Sequence, residues 1–155
     1  MALALFAVPL LAEVLRTPVT KKRKAGVPGE LVRLKKGLTH VQRDGPTDGP
    51  TVVLVHGLTT PAYLFAGVVP MLVAAGYRVI RYDLWGRGMS DSPIGRQDGA
   101  YFLDQLNEVL DHETVTRPFV LVGYSMGGAI AALKVKDDPD DVRALALVAP
   151  TGLGP

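Results

Sequence analysis

The sequence has no cysteine, only three histidines and one tryptophan among its 155 residues. The first absence excludes disulfides and thiolate-held metals, and it is compatible with any compartment. Aromatic residues make up 6% of the chain, and none is interleaved with the basic run Lys21-Lys22-Arg23-Lys24. That run therefore lacks the stacking partners of a nucleic-acid surface and reads as a solvated linker. Long apolar runs are missing as well. Met1–Leu15 is almost wholly apolar, with one acid at Glu13, but it falls short of the roughly 20 residues that span a bilayer. Its basic residues follow the apolar stretch instead of preceding it, and no small-residue cleavage pattern follows cleanly, unlike a secretory signal. A short membrane or interfacial anchor, a signal-like leader and a helix packed on the body all remain open. As an anchor, the segment would keep residues 21–24 on the cytoplasmic side.

What is present fits a globular protein: 48% apolar and 21% charged residues. The net charge of +2 is unevenly spread, with nine Lys/Arg against four acids in residues 1–50 and eight against eleven beyond. Thr17-Pro18 and Gly26-Val27-Pro28-Gly29 punctuate the start of the chain. They separate a leader and linker, residues 1–29, from a domain over residues 30–155. Short strands are expected over 30–34 and 38–43. From residue 51 the pattern is regular. Thr51–His56 (TVVLVH), Tyr77–Asp83 (YRVIRYD), Phe119–Gly123 (FVLVG) and Val142–Ala149 (VRALALVA) read as strands, the first and third buried on both faces. Residues 62–75, 99–112 and 126–136 read as helices between them. Alternating strands and helices specify an α/β fold, predominantly a parallel sheet with helices on both faces.

Gly123-Tyr124-Ser125-Met126-Gly127 fits G-x-S-x-G at a strand-to-helix turn, with Gly128 after it. Such a turn strains the serine backbone and presents its Oγ at the carboxyl end of the sheet, above a helix N-terminus that favours developing negative charge. His56-Gly57-Leu58 ends the first buried strand, where a loop amide can join that of Met126 in holding an oxyanion. His56 itself reads as ordering that loop. In Asp83-Leu84-Trp85-Gly86-Arg87-Gly88-Met89-Ser90 the third glycine of a dinucleotide-binding loop is missing. Asp83 there reads as a turn-capping carboxylate.

Together HGL, DLWGRGMSD, GYSMGG and LVAP resemble the α/β-hydrolase superfamily of esterases, lipases and related serine hydrolases, over about residues 37–155. The resemblance implies Ser125 as nucleophile, Leu58 and Met126 as oxyanion-hole residues, a small ester-like substrate, and no cofactor or metal. It sets the chain apart from haloalkane dehalogenases and epoxide hydrolases, which use aspartate at the elbow. The family's D-x-x-G-H-G-x-S loop carries Arg87 here in place of histidine.

A serine hydroxyl needs a base to take its proton, and the resemblance places that histidine and its acid after the serine. No histidine follows Ser125; the three are His40, His56 and His112, and the later acids are Asp137, Asp138, Asp140 and Asp141. The expectation is an N-terminal half of the hydrolase domain, inactive alone. The alternatives are a non-catalytic binding or assembly module, or an unstable gene fragment. The strand at 142–149 is then an unprotected sheet edge, which leads to self-association or a partner chain supplying the remainder. Light scattering on a chain lacking residues 1–29 is expected to find oligomers. A cooperative monomeric unfolding transition at high protein concentration would count against the open edge.

Overall fold

The computed structural model describes residues 26–152. The leader expected over residues 1–15 lies outside the described residues. No helix of the described residues is long and apolar enough to cross a membrane.

Six strands form one sheet: β1 (Glu30–Arg33), β2 (Leu38–Asp44), β3 (Thr51–Val55), β4 (Arg78–Tyr82), β5 (Phe119–Tyr124) and β6 (Val142–Val148), in the spatial order β1-β2-β4-β3-β5-β6. β4, β3, β5 and β6 are mutually parallel, while β1 and β2 join antiparallel on the β4 side. The four strands expected from residue 51 onward thus lie side by side. Leu54, whose register partners are Arg81 of β4 and Val122 of β5, sits at the middle of the sheet. All five residues of β3 are buried. That is why its sequence runs apolar without alternation.

Helices cover both faces. On one, α2 (Gly99–His112) and α3 (Met126–Asp137) pack Phe102, Leu106, Val109, Leu110 and Ile130 against Val53, Val55, Ile80 and Leu121. On the other, a 3-10 turn (Ala62–Gly67) and α1 (Val69–Ala74) set Phe65 and Val69 against Val52, Leu54 and Val79. Successive β3 side chains therefore serve opposite cores, as a period of two requires. The single helix expected over residues 62–75 is broken in two. Pro70 lacks an N–H and its ring would collide with the carbonyl four residues back, so it is accommodated only in the first turn of a new helix. Asp98 caps α2 by accepting a hydrogen bond from the Tyr101 amide at 3.1 Å.

Ion pairs secure the amino ends of the parallel strands. The buried Lys134 Nζ, on α3, donates to Asp138 at 2.7 Å and contacts Asp141 at 2.8 Å, just before β6. Glu113, after α2, is buried and accepts two 2.6 Å hydrogen bonds from the Arg43 fork of β2. Burial alone would push the Glu113 carboxyl up, but the hydrogen bonds from Arg43 and His112 outweigh it and hold it below the usual glutamate range. A depressed carboxyl stabilises the fold above its unfolded pKa and loses that contribution as pH falls through the folded one. Glu113→Gln is expected to cost about 1–3 kcal/mol at pH 7, because Arg43 then keeps only its more exposed partner Glu30. Urea midpoints of wild type and variant should converge as pH drops below the ordinary glutamate value.

Candidate active site

β5 delivers the chain to Ser125 and α3 leaves from it. Ser125 has φ 51° and ψ −120°, a left-handed-side conformation that costs a non-glycine residue on the order of 1–3 kcal/mol. Surrounding bonds impose it. Its N–H donates to Val148 O at 2.9 Å, and its carbonyl accepts from Gly128 N at 2.9 Å and Thr151 N at 3.1 Å. The neighbouring backbones leave no room for side chains: a Cβ on Gly127 would stand 2.2 Å from Val55 O, and one on Gly123 2.4 Å from Gly127 O. The elbow is thus a crossing of β3, β5 and the start of α3.

Gly57 passes the same point, with the position of a Cβ on it only 3.0 Å from Ser125 Cβ. Leu58 follows, exposed at 54%. The backbone N–H groups of Leu58 and Met126 donate no hydrogen bond to the described residues. Ser125 Oγ has one side-chain partner among the described residues, Thr151 Oγ1 at 3.3 Å. Sequence reasoning missed Thr151, because only the parallel pairing of β6 with β5 brings the residue after β6 over the elbow.

The three histidines are all engaged. His56, wholly buried, donates from Nδ1 to Gly57 O at 2.7 Å and accepts the Leu84 amide at Nε2, 2.9 Å. Burial pushes its imidazole pKa down, and the Arg87 charge acts in the same direction. Both nitrogens of this neutral ring are spent ordering the loops after β3 and β4. His40 sits between Asp83 Oδ2 at 2.9 Å and Pro28 O at 2.8 Å. His112 lies at the end of α2 beside Glu113.

Asp83, after β4, accepts from the Ala62 and Met89 amides, both at 2.9 Å, and from His40. Burial would raise its pKa, but those bonds outweigh burial and hold the carboxyl below the usual aspartate range. It is a capping carboxylate, as its place at the strand end implies. Asp138 and Asp141 lie at the opposite end of the sheet, paired with Lys134.

An apolar groove of about 380 Å³ opens beside the elbow, lined by Leu54, Phe65, Val68, Leu72, Val122 and Tyr124 among others. No group of three or more acidic, histidine or cysteine side chains among the described residues could hold a metal ion.

The family described as alpha/beta hydrolase fold matches residues 50–155. A haloalkane dehalogenase from Psychrobacter cryohalolentis is 36% identical over 118 residues, covering 73% of this chain and 39% of that protein. The magnesium-chelatase 30 kDa subunit of Rhodobacter capsulatus is 40% identical over 96 residues, covering 61% of this chain and 33% of the relative. The solved structure of an esterase from Exiguobacterium antarcticum superposes with a TM-score of 0.72 at 28% identity, covering 81% of this chain and 46% of the esterase. The chain spans about two fifths or less of the length of these curated relatives.

Strain at the elbow has a measurable consequence. Ser125→Gly should raise stability by about 1 kcal/mol, since glycine adopts this conformation freely, whereas Ser125→Ala should be nearly neutral. Equal denaturation midpoints for the two variants would show that the elbow stores no strain.

Proposed function

The chain belongs to the α/β-hydrolase fold family, and from that premise we propose that it carries the nucleophile half of a serine hydrolase acting on carboxylic esters. The observation that carries this reading is the elbow. A serine held at φ 51° follows a central strand, and two backbone N–H groups, of Leu58 and Met126, are left without acceptors among the described residues. In this proposal Ser125 Oγ attacks the ester carbonyl, and the Leu58 and Met126 amides receive the charge that develops on its oxygen. Amides fixed in the backbone need no reorganisation as that charge grows, which is where most of their catalytic worth lies.

Among the similar proteins are a dehalogenase and an esterase. Serine at position 125 supports the second chemistry. Resemblance to the superfamily assigns aspartate to the dehalogenase elbow, where a carboxylate displaces halide and leaves an ester to be hydrolysed. A serine alkoxide would form an ether in that step, and water does not cleave ethers readily, whereas its acyl ester turns over.

The general base is not among the three histidines. His56 has both nitrogens in loop-ordering bonds, His40 is held between Asp83 and Pro28, and His112 lies beside Glu113. Thr151 Oγ1 is a hydrogen-bond partner for Ser125 Oγ, but a hydroxyl is too weak a base to activate it.

With p-nitrophenyl acetate this chain is expected to turn over no faster than its Ser125→Ala variant. Added imidazole, small enough to stand where a histidine side chain would, should allow a fluorophosphonate to label Ser125 and leave the variant unlabelled. No labelling with imidazole present would sink the nucleophile assignment. Rapid Ser125-dependent turnover without imidazole would show that the base lies within this chain.

A further inference from the structure

Arg87 is held in place by neutral groups alone. Its Nη1 donates to Trp85 O at 2.9 Å and Gln97 Oε1 at 2.6 Å, and its Nε to Leu58 O at 3.4 Å. The guanidinium lies over the Phe102 ring, 5.2 Å from the centroid. None of these partners carries a negative charge, and no carboxylate of the described residues pairs with it. Neighbouring cations are treated differently: Lys36 pairs with Asp104 at 2.8 Å and Arg96 with Asp98 at 3.4 Å. The Nη2 group, with two N–H donors, has no partner among the described residues.

A loop tie explains the donors, and the Phe102 ring face favours a cation over a neutral amide, but neither supplies the opposite charge that an ion pair would. Keeping a partly buried guanidinium without a counter-ion is costly. Burial lowers its pKa, with no carboxylate among the causes that oppose it. The position of the charge matters. Arg87 bonds the carbonyl of Leu58, and Leu58 follows Gly57, which abuts Ser125. The open guanidinium edge therefore stands within a few residue lengths of the reacting hydroxyl, at the carboxyl end of the sheet. Guanidinium is the side chain best suited to receiving a carboxylate there.

We propose that the substrates of this site are esters bearing a second, free carboxylate, such as half-esters of short dicarboxylic acids, and that Arg87 receives that carboxylate. This inference rests on the serine-hydrolase reading for the ester and on Arg87 for the charge. A fixed cation tied to the loop that abuts Ser125 selects by charge and draws the acid end away from Ser125, leaving the ester carbonyl to face the nucleophile. The apolar groove beside Tyr124 carries no charge to compete for the anion.

Equilibrium dialysis of the full chain against monomethyl succinate and dimethyl succinate tests the inference without requiring turnover. The half-ester should bind about five- to tenfold more tightly at low ionic strength, as one partly exposed charge pair allows. The preference should shrink in 0.5 M salt, persist in part in Arg87→Lys, and vanish in Arg87→Met. Equal affinity for the two esters, undetectable binding of both, or a preference that survives Arg87→Met would each overturn it. Should Arg87→Met fail to fold, the salt dependence of the wild-type preference and the Arg87→Lys variant decide the matter. Fluorophosphonate labelling of Ser125 is a separate readout. Labelling without charge preference rejects the substrate class alone. Charge preference without labelling supports Arg87 as the anion receptor and rejects the hydrolase reading.

Discussion

Three backbones meet at Ser125 with no side chain between them, and much of the carboxyl end of the sheet follows from that contact. The last carbonyls of β3 stand where a Cβ on Gly127 would have to be, and the first turn of α3 occupies the space of a Cβ on Gly123. Close approach lets α3 begin directly against the end of β3. It also forces the intervening serine to φ 51°. The serine cannot relax, because its N–H and carbonyl are bonded to Val148, Gly128 and Thr151. Strain, exposure of Oγ and the free amide of Met126 are thus consequences of one packing constraint rather than separate features.

A second hub, Asp83, holds the loops around that point. One carboxylate accepts bonds from the start of the 3-10 turn, from the loop before α2 and from His40 of β2. Gly88 lies so near that a Cβ there would stand 2.2 Å from Asp83 Oδ2, so the loop wraps tightly on the carboxylate. His56 then bridges the Gly57 carbonyl and the Leu84 amide. With the carboxylate and both imidazoles consumed in this way, the groups that look most like acid–base catalysts serve as scaffold. Among the described residues, the Leu58 and Met126 amides and the outer edge of Arg87 keep free hydrogen-bonding capacity at this end of the sheet.

The two ends of the sheet divide the electrostatic work. At the amino ends Lys134, Arg117, Arg78 and Arg43 are matched by Asp138, Asp141, Asp111 and Glu113. These pairs close a network between helices and strands. At the carboxyl end Asp83 is enclosed and Arg87 has no carboxylate partner among the described residues. A stabilising network tolerates no unpaired buried charge, whereas a binding site gains by keeping one for the ligand.

Much of this was written in local sequence. Strands β3 and β5 were legible because burial on both faces demands unbroken β-branched or aliphatic runs. Residues 99–112 were legible as a helix because one face must stay apolar at helical spacing. G-x-S-x-G between a strand and a helix located the elbow, since only glycine permits that approach. The break in the helix at 62–75 escapes the apolar periodicity although Pro70 carries the signal, because apolar residues flank it on both sides. The contacts of Thr151 and Arg87 could not be read at all. Ser125 and Thr151 are 26 positions apart, and Arg87 and Leu58 are 29 apart, and side-chain periodicity says nothing about which loops converge. The sequence by itself determined the elements, the elbow and the family resemblance, because each depends on neighbours within a few residues. Which hydroxyl meets the serine, which imidazoles are spent and which charge stays unmatched were decided by strand order, since only the assembled sheet brings those loops to one end.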